Sequence, residues 1–252
     1  MKLYKRAAAL ILTAATLLSL APPVSAEGDR VTISSAKEFY ALVQNCTRDV
    51  WSQRVTVELT ADLDLSGSDF QPIPIFQGTF HGNGHTIRGI TYDHKGSTLG
   101  LFRTLTESAV VEGLCVEGLL EPQGSASQLG LLAGENYGAI RSCSAKGTVS
   151  GQEDVGGLVG VNGETGRIEG SSSQVQISGV TNVGGIAGQN LGTLDRCINT
   201  GALNSDPDQE IPTSVGGIAG LSRGTIQSCS NSGEIGYQHL GYNMGGIVGL
   251  QS

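Results

Sequence analysis

The sequence predicts an all-β chain wound as a right-handed parallel β-helix, or β-solenoid, with a short N-terminal capping helix. Three observations carry the prediction. A glycine-rich phrase recurs, as VGGLVG from Val155, VGGIAG from Val183 and VGGIAG from Val215. The recurrence is periodic. Gly100, Gly130, Gly156, Gly184, Gly216 and Gly245 open successive units, so the coils take 26 to 32 residues, within the range of solenoid repeats. Finally, 38 of 252 residues are Gly and only 5% are aromatic, about twice the usual share of glycine. A chain so poor in rings must bury many small aliphatic side chains in a regular way. Periods of this length are the signature of stacked repeats, each too small to bury its own apolar face.

The chain opens with MKLYKR, a basic n-region, then AAALILTAATLLSLA, an apolar h-region, then PPVSA with Val24 and Ala26 at the −3 and −1 positions. Residues 1–26 are therefore expected to be a secretory signal peptide cleaved after Ala26. The apolar run is short for a membrane span. A secreted, extracellular or cell-surface chain without membrane insertion follows. Cleavage removes Lys2, Lys5 and Arg6 and no acid, so the formal charge of −8 becomes −11. Nucleic acid and anionic headgroups need a cationic footprint, so neither is an expected partner.

ISSAKEFYALVQNC reads as a helix. Ser35 can cap it and Glu38 can complete a capping box. Phe39, Leu42, Val43 and Cys46 share one face, which would cover the open first coil and protect its strand edge. VTVELTADLDLSG follows as a strand with Val55, Val57 and Leu59 alternating. Residues 27–66 are thus expected as an N-terminal cap, helix plus strand, and 67–252 as the solenoid. FQGTFHGNGHTIRGITYD, from Phe76, belongs to the first full coil over 67–97.

Each later unit is expected to hold three short strands. The first is the glycine phrase itself. The second centres on Val111, Ile140, Ile168, Leu194 and Ile226. The third carries Val149, Ile177, Leu203 and Ile235. No segment has the length or period of a helix. The glycines are expected at corners that need positive φ. Asn136, Asn162 and Asn190, with Ser222 in the fifth unit, are expected at equivalent corners in left-handed backbone, stacked as a hydrogen-bonded ladder.

The five cysteines are Cys46, Cys115, Cys143, Cys197 and Cys229. Their number is odd and they match no zinc spacing. Cys143, Cys197 and Cys229 each lie three residues after the centre of the second strand, in a slot that Ser171 and Leu114 fill elsewhere. An inward ladder position explains that choice of residues. Free core thiols are expected there, because parallel Cβ vectors at strand spacing sit slightly too far apart for a relaxed disulfide.

The pattern G-[GL]-[LI]-[VA]-G-x-N-x-G-x-[IL]-x-x-C resembles that of the GLUG-motif proteins, secreted or surface repeat proteins of bacteria that include some peptidases and adhesins. The resemblance covers about residues 98–252. The third unit departs by inserting two residues in GVNGETGRI and by using Ser171 for Cys. The first has Arg103 and Thr104 where AG or VG stands elsewhere. The resemblance implies a right-handed β-helix and an extracellular location, and carries no catalytic residues.

Candidate chemistry is sparse. A polysaccharide-cleaving β-helix needs two carboxylates across a cleft, or carboxylate-bound calcium with a basic residue. Asp62, Asp64 and Asp69 read as a strand exit and turn. Asp206, Asp208 and Glu210 sit in NSDPDQEIP, the insertion that lengthens one repeat, and read as a solvated loop. His81 and His85 in HGNGH flank a turn rather than sharing a helix face. No catalytic residue, cofactor or metal is expected. Tyr237, His239 and Tyr242 in GYQHLGYN are the candidate ligand-binding loop, with rings that could stack on sugar faces or pack over the solenoid. MGGIVGLQS ends after one strand of a unit. An uncapped coil is therefore expected there, to be continued by further chain or covered by end-to-end contact with a partner. Expected partners are a host or cell-wall glycan or a surface protein. The expected function is a secreted or cell-surface structural or adhesion module with no catalysis of its own. The alternative is the front of a secreted polysaccharide- or protein-degrading enzyme whose active site lies outside this chain.

Overall fold

Four parallel sheets, not three, build the wall of the solenoid. The computed structural model describes residues 30–48, 50–204, 214–236 and 243–252. In each full coil the chain passes through four faces in turn. The first face is five-stranded and includes Glu153–Gly156, Thr181–Gly184 and Val215–Gly216. The second is seven-stranded, running from Ile73–Phe76 through Ala133–Asn136, Val159–Asn162 and Ala187–Asn190 to Val248–Gln251. The third is eight-stranded and includes Ala139–Arg141, Arg167–Glu169 and Thr193–Asp195. The fourth is seven-stranded and holds the long strands Cys115–Leu120, Ser144–Ser150 and Ser172–Ser178. The glycines align as the period predicts, with Gly156 beside Gly184, Gly184 beside Gly216 and Gly216 beside Gly245.

The expected first strand is in fact two. VGGIAG bends at Gly185–Ile186, so Thr181–Gly184 and Ala187–Asn190 lie on different faces. The bend explains both glycines, and positive φ has no part in it. A Cβ on Gly184 would overlap the Ala187 carbonyl, and one on Gly185 would overlap the side-chain amide of Asn199. Left-handed backbone falls elsewhere. It recurs at Thr98, Gln128, Asp154, Asn182 and Asn243, each two residues before the first glycine of a unit, and also on the five residues just before the Leu/Cys/Ser slot, namely Gly113 (φ 61), Ser142 (φ 51), Gly170 (φ 56), Arg196 (φ 52) and Ser228 (φ 53). Three of these five carry side chains, so the corner is made by rung-to-rung pairing and does not require glycine. Asn136, Asn162 and Asn190 lie within strands and are absent from the positive-φ set. The expectation of left-handed corners there is corrected, but the ladder is present. Asn136 Nδ2 donates to Asn162 Oδ1 at 2.8 Å, Asn162 to Asn190 at 2.8 Å, and Asn190 to the Ser222 hydroxyl at 3.2 Å.

A second ladder, unread in the sequence, runs inside the fourth face. Ser173 stacks on Asn199, whose Nδ2 donates to Asn231 Oδ1 at 2.8 Å. The slot residues Leu114, Cys143, Ser171 and Cys197 are buried, and all five cysteines are free thiols. Their polar atoms also bond. The Cys143 N–H donates to Ser171 Oγ at 3.1 Å, and the Cys197 N–H donates to Cys229 Sγ at 3.3 Å. At Ser171 and Cys229 the slot side chain therefore accepts a hydrogen bond from the rung before it as well as occupying the slot.

The N-terminal end is built from larger residues. Helix Ala36–Asn45 buries Phe39, Leu42 and Val43 and lies against strand Ile73–Phe76. Ser35 Oγ caps it, accepting from the Glu38 N–H at 3.4 Å, while the Glu38 carboxylate accepts from the Ser34 N–H at 2.8 Å. Beneath it Phe76, Phe80 and Phe102 form an aromatic cluster, with Phe76–Phe102 centroids 5.4 Å apart. The region expected as a cap also supplies rungs. Arg30–Ile33 pairs parallel with Thr56–Leu59, and Thr56–Leu59 with Thr79–His81, all in the third face.

Two predictions separate space from φ and test the ladder. Gly184→Ala is expected to cost about 3 kcal/mol or more, since backbone must move. Gly170→Ala meets nothing within 4 Å and should cost only about 1 kcal/mol of left-handed strain. Asn162→Ala removes the donor to Asn190 Oδ1 and one of the two acceptors of Asn136 Nδ2, costing about 1–3 kcal/mol, and Asn162→Ser should recover part of it. Urea unfolding of the four variants checks both.

Candidate functional site

Of the acids singled out in the sequence, Asp62, Asp64 and Asp69 lie at the surface with polar partners. Asp62 is exposed and accepts from the Thr86 N–H at 2.9 Å and from His85 Nδ1 at 3.1 Å. These donors hold its carboxyl below the usual range, Thr86 first. Asp64 is held at about 2 by hydrogen bonds from Ser66, and then by the Arg88 guanidinium, whose Nε stands 3.1 Å away. Asp69 accepts from Gln71 Nε2 at 3.3 Å. The first two carboxylates are steadied in their ionised form. A general acid would need the opposite shift. His81 ends strand Thr79–His81, and Asn83 (φ 53) makes the turn between it and His85. Among the described residues the two histidines share no partner, and His85 turns to Asp62. Among the described residues no three His, Cys, Asp or Glu side chains gather as a metal site, and no helix is long and apolar enough to cross a membrane. Tyr237, His239 and Tyr242, and likewise Asp206, Asp208 and Glu210, lie outside the described residues.

Recesses mark the outer wall among the described residues. One, of about 280 Å³, lies on the fourth face among Thr86, Cys115, Glu117, Ser144, Lys146, Ser172 and Gln174. Here alternate residues point outward, and Glu117, Lys146 and Gln174 stack in register. It is a shallow polar groove running across rungs.

Another recess, of about 320 Å³, lies between the second and third faces and is lined by Glu107, Tyr137, Glu164, Thr165 and Leu191. Rung register explains it. Asn136 stacks on Asn162 and Ala139 stacks on Arg167. Between the first members of these pairs stand only Tyr137 and Gly138, whereas Gly163, Glu164, Thr165 and Gly166 stand between the second. The two-residue insertion in GVNGETGRI is therefore spent wholly at this corner. The rung before is longer too, because Leu105 pairs Asn136 while Val110 pairs Ala139. Tyr137 sits on a short corner between two protruding ones, each bearing a glutamate. Its ring lies over Gly163, where a Cβ would overlap ring carbons. Thr165 Oγ1 donates to the Tyr137 carbonyl at 2.8 Å, pinning the inserted loop to the notch. Burial, and then the Glu135 charge, raise the Tyr137 hydroxyl above its ordinary value. The insertion stands out in the sequence, but its aromatic neighbour was missed. A signal for it exists: Tyr137 is the aromatic residue immediately after the ladder position, where Gly163, Leu191 and Arg223 stand in later rungs.

Burial shifts one further carboxyl. Asp154 is partly buried in left-handed backbone (φ 52), accepts from Asn182 Nδ2 at 2.9 Å, and is raised chiefly by desolvation. A carboxyl whose folded value is raised loses stability as pH climbs through that value. Asp154→Asn is therefore expected to raise the thermal midpoint at pH 7. The gain should vanish by about pH 3, where the aspartate is protonated in both states. Melting curves at the two pH values check the sign.

Comparison with known proteins gives a consistent pattern. The GLUG motif matches residues 125–150 and 151–178, the two units that contribute Asn136 and Asn162 to the ladder. Halomucin of Haloquadratum walsbyi is 32% identical over 141 residues, 51% of this chain and 2% of its own length. A protein of Evansella cellulosilytica named as a Gly-rich membrane protein is 33% identical over 96 residues, 36% of this chain and 11% of its own. The chain thus spans a small part of the length of either relative. A crystal structure from Bacteroides ovatus, described as an immunoglobulin A1 protease, superposes with a TM-score of 0.59 over 88% of this chain and 84% of that one. At 18% identity that likeness concerns the fold alone.

Proposed function

We propose that this GLUG-repeat β-solenoid is a surface-displayed structural module that holds binding features on a rigid rod and performs no catalysis itself. One observation carries the reading. The recurring residues are spent on ladders, corners and slots in unbroken register from Gly100 to Gly245. What repeats is architecture, and what varies lies on the outer corners. The ionised, donor-held state of Asp62 and Asp64 fits the same reading. So does the basic, apolar and small-residue order of residues 1–26, which argues for export. The long polar faces would carry a glycan or a surface protein as partner, and stacking along the axis would set the spacing of such contacts.

Two measurements test this. An antibody raised to residues 27–97 should find the chain in cell-wall or medium fractions, and confinement to the cytoplasm would sink the surface reading. Asp62→Ala and Asp64→Ala should leave the circular dichroism spectrum unchanged, with neither parent nor variant cleaving glycan or protein substrates. A turnover present in the parent and abolished by either change would replace the structural reading with an enzymatic one.

A further inference from the structure

We infer that the notch around Tyr137 is a binding subsite for a neutral saccharide, one pyranose ring seated on the tyrosine between Glu107 and Glu164. The inference rests on the surface-module reading for its biological setting, but its chemistry stands on the notch itself.

Three features converge. The first is shape. A short corner lies between two longer corners, which turns a flush solenoid edge into a recess of about 320 Å³. That is the lower end of the size range of small-molecule sites. The second is the floor. The Tyr137 ring is half-buried and braced over Gly163, with Leu191 beside it in the lining. A fixed aromatic face stacks on the apolar C–H face of a pyranose and loses little side-chain entropy in doing so. The third is the rim. Glu107 and Glu164 are exposed and join no ion pair among the described residues. The Tyr137 hydroxyl likewise makes no hydrogen bond among them. Carboxylates accept from vicinal hydroxyls in charge-assisted bonds, and the phenol can donate or accept. Such a rim suits a ligand rich in O–H donors. It repels uronic and sialic acids, because two uncompensated negative charges already face the recess.

The sequence supports the notch as a built feature. Elsewhere the same corner is flush: only Leu191 and Gly192, and then only Arg223 and Gly224, separate the ladder position from the third face. The insertion lengthens the corner beside the tyrosine, and its Thr165 hydroxyl is tied back to the Tyr137 carbonyl.

The test is a titration of the 15N-labelled chain followed by backbone amide shifts. The probes are cellobiose, N,N′-diacetylchitobiose, digalacturonate and N-acetyl-arginine amide. Saturable shifts with at least one neutral disaccharide are expected, confined to Tyr137, Gly163 to Gly166 and Leu191, with none from digalacturonate. Tyr137→Ala should abolish them. Glu164→Gln, which keeps size and fold, should weaken binding by about threefold to tenfold, as loss of one charge-assisted bond predicts. Tyr137→Phe keeps the ring and should retain most of the affinity, and thermal midpoints of all variants confirm folding. No saturable shift with either neutral sugar at about 20 mM, well above the weakest useful affinity, would overturn the inference. So would shifts that persist in Tyr137→Ala. Tighter binding of N-acetyl-arginine amide than of either sugar would make the notch an organic-cation site instead. Any of these failures leaves the fractionation result untouched. Conversely, a sugar-binding chain confined to the cytoplasm would sink the surface reading and spare the subsite.

Discussion

The whole molecule depends on stacking like over like at the spacing of parallel strands. Each rung hands its backbone groups to the next, and the interval, about 4.8 Å, leaves no room for a residue to ignore its neighbours above and below. The asparagine ladder is the sharpest expression of this constraint. An amide both donates and accepts, so each member can satisfy one rung and be satisfied by another in a site from which water is excluded. Asn136, Asn162 and Asn190 are fully buried, and each is bonded along the axis. Such a chain of amides needs a terminator. Ser222 supplies it, accepting from Asn190 and donating to the Gly224 carbonyl. The second ladder begins instead at a serine, Ser173.

The glycines follow from the ladders. The first glycine of the last four phrases, Gly156, Gly184, Gly216 and Gly245, lets the chain fold back over the carbonyl three residues on. The second makes way for the polar side chain of the fourth-face ladder, Asn199 beside Gly185 and Asn231 beside Gly217. The two glycines and the distant asparagine are one packing unit, separated by about half a coil in sequence. The cysteine slot obeys the same logic. It stands just after a left-handed corner, where the backbone N–H leaves the strand ladder, and an oxygen or sulfur from the next rung receives it. Burial pushes the Cys143 thiol up to about 12, which keeps it protonated and unreactive in that role.

Uniformity in the wall throws its exceptions into relief. A flush edge offers a ligand nothing to enter. Two long corners around a short one create depth, and an aromatic ring gives that depth a floor. The N-terminal end departs in another way, concentrating Phe39, Phe76, Phe80 and Phe102 where a helix must pack on the first coils. Large rings suit that junction, since its geometry differs from the stacked interior and small aliphatics would leave voids.

By itself the sequence determined the repeat, its period, the parallel stack, the capping helix with its buried face, the asparagine ladder and the inward cysteine slot. The helix is announced locally by its cap and its apolar face, and the rest are properties of residues that recur at fixed offsets from unit to unit. Tertiary structure alone decided the number of faces, because a bend inside VGGIAG leaves no mark on hydrophobic periodicity. It alone decided why the glycines are there, since a steric reason and a φ reason call for the same letter. It also assembled the notch. Glu107, Tyr137 and Glu164 come from three different rungs, and only the register differences of Leu105–Asn136 against Val110–Ala139 and of Asn136–Asn162 against Ala139–Arg167 show that they share one recess. Relations within a repeat are written along the chain, whereas relations between the irregular parts of successive repeats exist only once the rungs are stacked.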